Sequence, residues 1–105
     1  MPALRLLVLG GTGFVGSHLL PRLAADGHAI TVLSRNREQH LELTVLPQVR
    51  VVSADVYDRA VLARHLGKAD VALNLIGILN ETRGQRFRRV YVELTHTLVD
   101  ACRQM

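Results

Sequence analysis

The run Gly10-Gly11-Thr12-Gly13-Phe14-Val15-Gly16 is the part of this sequence best suited to chemistry. Its glycines fit two overlapping spacings: GxGxxG through Gly11, Gly13 and Gly16, and GxxGxxG through Gly10, Gly13 and Gly16. Glycines at these intervals let a chain turn tightly and lie against a pyrophosphate, and the last lets a helix pack close to strands. A helix starting here directs the free amides of Gly13, Phe14 and Val15 at an anion, and its dipole favours negative charge there. Such a run is specific only in context. Here an apolar segment, Leu4 to Leu9, precedes it and a helical pattern follows from Phe14, the setting a dinucleotide-binding turn requires.

Three further segments have the composition to hold the rest of a dinucleotide. Sites for NAD carry an acid about 20 residues beyond the motif, where it holds the ribose hydroxyls. This sequence has Ser34-Arg35-Asn36-Arg37 there, with no carboxylate before Glu38. Ser34 can hydrogen-bond a 2′-phosphate, Arg35 can grip it or stack on adenine, and Arg37 can assist, so the segment favours NADP(H) over NAD(H). Asp55 can accept from the adenine amino group while Val56 packs on the ring; the alternative is that Asp55 only caps the following helix. In Asn74-Leu75-Ile76-Gly77 the backbone is expected to line the ribose and pyrophosphate through Asn74, Ile76 and Gly77. Asn74 reads equally well as a structural hydrogen-bonding residue.

Strands alternating with helices are needed to bring these segments together, and the apolar pattern supplies them. Strands are expected at Leu4 to Leu9, Ala29 to Leu33, Val49 to Ser53 and Asp70 to Ile76. Helices are expected from Phe14 to Ala25, Arg37 to Leu46, Asp58 to Leu66 and about Arg86 to Arg103. In the first, Val15, Leu19 and Leu23 share a face. In the last, Val90, Leu94, Leu98 and Cys102 do. Asp26-Gly27 and Gly67 read as helix stops, Leu79 to Gly84 as a polar loop, and Pro21 as a local bend in the first helix. The sum is βαβαβαβα, an α/β doubly wound parallel sheet of Rossmann type. Its strand order is 3-2-1-4, with a crevice between strands 1 and 4 where the order reverses. Residues 1–105 read as the N-terminal part of one such domain, lacking later strands. Strand 4 is then left as an apolar edge, open to self-association or to cover by another copy.

Composition narrows the functional classes. The sequence is 49% hydrophobic and 21% charged, which is globular. No apolar run reaches the ~18 to 20 residues of a membrane span, and a cytoplasmic location follows as the default. The single cysteine, Cys102, excludes an internal disulfide, and the five histidines show no ligand spacing, so no metal site is expected. The net charge of +4 suits an anionic partner. The aromatic residues Phe14, Tyr57, Phe87 and Tyr91 are too far apart to form a base-stacking surface, which argues against nucleic acid. Arg83, Arg86, Arg88 and Arg89 read as a solvated helix face, or as a contact for an anionic substrate or partner.

The glycine turn, the SRNR segment and Asp55-Val56 together resemble the extended and atypical short-chain dehydrogenase/reductase superfamily. The run Asn74-Leu75-Ile76-Gly77-Ile78-Leu79-Asn80-Glu81, then Gly84-Gln85-Arg86-Phe87 and Val92-Glu93, is similar to one branch of it. That branch holds the Rossmann-fold accessory subunit of respiratory complex I and its bacterial relatives. The resemblance covers essentially the whole chain but only the front part of that family's domain. It implies tight NADP(H) binding, often in a structural role, and association with a respiratory complex at the inner face of its membrane. Tyr91 and Leu94 depart from the superfamily pattern of Asn or His, and of Gly, at these positions. Active members use a Tyr-x-x-x-Lys pair for proton transfer. Neither Tyr57 nor Tyr91 has lysine four residues on, so no catalytic residue is expected in this chain. The alternative reading is the N-terminal portion of an active NAD(P)-dependent reductase or sugar-nucleotide epimerase or dehydratase.

Overall fold

The computed structural model describes residues 3–10, 14–34, 46–76 and 92–103, with Phe14 described by its backbone alone. Its elements run β1 (Arg5–Leu9), α1 (Phe14–Ala25), β2 (Ala29–Ser34), β3 (Val49–Ser53), α2 (Arg59–Leu66), β4 (Val71–Asn74) and α3 (Leu94–Arg103). The strands form a parallel sheet in the order β3-β2-β1-β4. This is the Rossmann arrangement read from the sequence. The expected helix from Arg37, the polar loop from Leu79, the four arginines from Arg83 to Arg89 and the start of the last helix lie outside the described residues.

From Leu6 to Leu9, β1 is buried on both faces, as its apolar run requires. Its side chains divide by the two-residue period of a strand. Leu6 and Val8 join Ile30, Val32, Val49 and Val51 beneath Leu20 and Ala24 of α1. Leu7 and Leu9 join Leu33, Leu62 and Leu66 with Leu94, Leu98 and Ala101 of α3 on the other face. The sheet is therefore covered by α1 on one side and by α2 and α3 on the other. β4 is the outermost described strand on its side, and Val71 on it is exposed.

Two helix faces differ from the sequence reading. In α1 the buried set is Gly16, Leu20 and Ala24, with Leu19 and Leu23 half-buried and Val15 59% exposed. The helix is turned so that its smallest residue, Gly16, points inward, which lets α1 approach the sheet closely. In α3 the third buried position is Ala101, and Cys102 is exposed. At 100° per residue, position 101 falls within about 20° of Leu94, whereas 102 lies about 80° away.

The helix ends follow from local chemistry. Gly27 takes φ +89°. Its amide bonds the Ala24 carbonyl at 3.0 Å and that of His28 bonds Leu23 at 3.3 Å, the paired closure of a Schellman motif. Gly67 ends α2 differently, staying right-handed at φ −61°. At the start of α2, Asp58 is the cap: its carboxylate accepts from Ala60 at 2.9 Å and Val61 at 3.4 Å. α1 continues through Pro21 to Ala25. Buried His28 is structural: its Nδ1 accepts the Leu4 amide at 3.0 Å.

Candidate functional site

Because the strands are parallel, all four C-terminal ends open on one edge of the sheet, where ligands of open α/β sheets bind. That edge gathers Gly10 after β1, Ser34 at the end of β2, Asp55 and Val56 after β3, and Asn74 to Ile76 at the end of β4. α1 begins at Phe14, four residues after Gly10. Gly11, Thr12, Gly13, Arg35, Arg37 and Gly77, also read as site residues, lie outside the described residues, as does the side chain of Phe14.

Gly10 sits between the end of β2 and the exit of β4. Its amide bonds the Leu33 carbonyl of β2 at 3.4 Å. Its φ of +71° belongs to the left-handed region, where glycine carries no Cβ penalty. A Cβ built on it would lie 2.5 Å from Ile76 Cγ1 and 3.0 Å from the Ile76 Cα and amide nitrogen. The space beside Gly10 is thus taken by the exit of β4. Its glycine is demanded by packing between the two strands at the switch point, a role additional to any contact with pyrophosphate.

The β4 exit is held by its own bonds. The Leu75 amide donates to the Leu9 carbonyl at 2.8 Å, and the Ile76 amide donates to Asn74 Oδ1 at 3.1 Å. The structural role open to Asn74 is therefore realised: its side chain accepts the backbone amide two residues on, at the end of β4. Ile76, expected to line the site by its backbone, also packs its side chain against the α2–α3 core.

At the β3 end, Asp55 is exposed and its Oδ1 accepts the Tyr57 amide at 2.9 Å. Since Asp58 caps α2, the capping alternative for Asp55 does not hold. Val56 is 5% exposed and belongs to the core with Leu33 and Leu62, which leaves little of its side chain for a ring to pack on. At the β2 end, Ser34 is half-buried and its carbonyl accepts the Ala54 amide at 3.0 Å, joining the ends of β2 and β3.

The opposite edge holds an ion pair that sequence reading missed. Arg5 Nη2 lies 3.0 Å from Asp70 Oδ1, while Asp70 Oδ2 accepts from the Arg5 backbone amide at 2.8 Å and from Nε at 3.3 Å. The hydrogen bonds from the Arg5 side chain and backbone hold the Asp70 carboxyl below its ordinary range. Arg5 is correspondingly raised. The pair clamps the start of β1 to the turn before β4, far from the crevice.

The sequence model of the NAD dependent epimerase/dehydratase family matches residues 6–105. The chain belongs to this family. Proteins similar to it include subunit 9 of the NADH dehydrogenase [ubiquinone] 1 alpha subcomplex, mitochondrial, of Arabidopsis thaliana. It is 38% identical over an alignment that covers 76% of this chain and 21% of that protein. A UDP-N-acetyl-alpha-D-glucosaminuronate decarboxylase of Bacillus cytotoxicus is 30% identical over 71% of this chain and 24% of its own length. Among solved structures, dTDP-glucose 4,6-dehydratase of Streptomyces venezuelae, with NAD bound, superposes with a TM-score of 0.74 at 31% identity. The match covers 92% of this chain and 35% of that one. A Bordetella bronchiseptica enzyme in complex with NAD reaches a TM-score of 0.82 at 20% identity, over 98% of this chain and 34% of that one, and supports the fold. The chain thus spans between a fifth and about a third of the length of these proteins. Among the described residues no helix is long and apolar enough to cross a membrane.

Proposed function

We propose that residues 1–105 form the cofactor-binding portion of a single Rossmann domain and take a nicotinamide dinucleotide, NADP(H) in preference to NAD(H). The observation that carries this reading is the convergence of Gly10, Ser34, Asp55 and Asn74–Ile76 on one sheet edge at the start of α1. Gly10, Gly11, Thr12 and Gly13 bring the backbone close to the pyrophosphate, Gly16 lets α1 pack close to the strands behind it, and the amides of Gly13, Phe14 and Val15 donate to it. Asp55 accepts from the adenine amino group. Ser34, Arg35 and Arg37 hold the 2′-phosphate. The backbone of Asn74, Ile76 and Gly77 lines the ribose side of the crevice. When bound, the nicotinamide would supply hydride chemistry; the residues here bind and orient it. A thermal melt of the full chain tests the reading. NADPH at 100 times its Kd should stabilise the fold by about 2.7 kcal/mol, and NADH at the same concentration by less. No stabilisation by either cofactor would overturn it.

The identity to the Arabidopsis subunit, by its name part of an NADH dehydrogenase subcomplex, favours a protein that attaches to a respiratory complex; in this reading the dinucleotide is held for structure. The identity to sugar-nucleotide enzymes favours a second reading, an active NAD(P)-dependent epimerase, dehydratase or reductase. Slow oxidation of bound NADPH by every nucleotide sugar tried, together with co-purification with respiratory complex I, supports the first. Turnover of a nucleotide sugar supports the second.

A further inference from the structure

A cavity of about 290 Å³ opens at the edge where the strands begin, beneath the C-terminal end of α2. Over strands of five or six residues this places it roughly 15 Å from the glycine-turn edge. Arg5, Arg50, His65 and Lys68 line it, with Thr31 and Gln48 between them, and among the described residues no acidic one does. The topology gathers these groups: Thr31 of β2 pairs in register with Arg50 of β3, and the turn after α2 carries Lys68 beside His65. Asp70 answers Arg5. Among the described residues, no carboxylate answers Arg50 or Lys68.

Burial, and then the charges of Arg64, Arg50 and Lys68, hold the His65 imidazole below its ordinary pKa. A concave, partly apolar wall concentrates such a field, which a flat solvated surface would not. The C-terminal end of α2 opposes it with carbonyl dipoles. The carbonyls of Ala63, His65 and Leu66 are, however, already engaged by the amides of Gly67, Lys68 and Ala69.

We propose that this cavity binds a small phosphate-bearing anion, separately from any dinucleotide at the other edge. Arg50 supplies a forked donor, Lys68 a point charge, and Thr31 and Gln48 neutral hydrogen bonds. His65 then reports occupancy, because a bound anion favours its protonated form. The test is an NMR titration of the His65 ring with pH in the full chain, using pyrophosphate as probe and sodium chloride at matched ionic strength as control. The expected result is a saturable upward move of the His65 midpoint with pyrophosphate and none with chloride. In R50Q/K68Q the midpoint should start higher, and pyrophosphate binding read at His65 should weaken at least tenfold. Equal responses to pyrophosphate and chloride, or an undiminished response in the double variant, would overturn the proposal. The wild-type titration alone decides it should the variant fail to fold.

Discussion

Replacing Gly10 by alanine tests whether the switch point is closed by contact between β1 and β4. The new Cβ meets two costs. At φ +71° the left-handed backbone penalises any L side chain, by about 1–2 kcal/mol. The Cβ also falls 2.5 Å from Ile76 Cγ1 and 3.0 Å from the Ile76 Cα and nitrogen. Cγ1 can rotate away, but the backbone atoms are pinned by the Leu75–Leu9 and Ile76–Asn74 hydrogen bonds. Forcing extra volume into packed surroundings costs about 1–3 kcal/mol. Gly10→Ala should therefore destabilise by about 2–5 kcal/mol in total. Gly27 is the internal control: its φ is +89° and nothing lies within 4 Å of a built Cβ. Gly27→Ala then meets only the backbone penalty, about 1–2 kcal/mol. Urea midpoints at constant slope measure both variants. A Gly10→Ala loss no greater than that of Gly27→Ala would refute the close approach to Ile76.

Leu94→Ala removes a side chain with no exposure from beneath α3 and should cost about 2–5 kcal/mol. Val99→Ala on the outer face of the same helix should stay within about 0.5 kcal/mol by the same denaturation assay. Asp58→Ala should cost about 1 kcal/mol by freeing the Ala60 and Val61 amides, whereas Asp55→Ala should leave the start of α2 intact by amide exchange. Asp70 is more acidic folded than unfolded, so its contribution is fully present above its ordinary carboxylate pKa. It is lost as pH falls through the lower folded value. Asp70→Asn should accordingly flatten the acid limb of the stability curve, read from urea midpoints between pH 7 and pH 3.

The fold was legible because its signals are local and periodic. Four apolar strands, a glycine turn and helix stops at Gly27 and Gly67 require no knowledge of distant contacts. The helix faces were less so. In α1 a count of large apolar residues picked Val15, Leu19 and Leu23, but the need to bring the helix close to the sheet put Gly16 inward and Val15 out. In α3 the choice between Ala101 and Cys102 turns on a difference of one residue in phase. The Arg5–Asp70 clamp joins residues 65 apart in sequence, and no spacing rule could announce it. At the site, Asn74 was readable as a structural residue, since asparagine readily bonds the amide two positions on. The burial of Val56 was not readable, because it depends on how α2 returns over the sheet. The basic cavity combines residues from three strands and a helix end, and it too emerges only from the folded chain.

Calorimetric titration of the full chain with NADPH and NADH, in the wild type and in Arg35→Ala, tests the central claim most directly. A charge-assisted hydrogen bond is worth about 1.5–3 kcal/mol, or roughly 10- to 150-fold in affinity. The account predicts NADPH binding tighter than NADH by about that factor, and collapse of the preference in Arg35→Ala with NADH affinity unchanged. Equal affinities in the wild type, or a preference that survives the substitution, would contradict it.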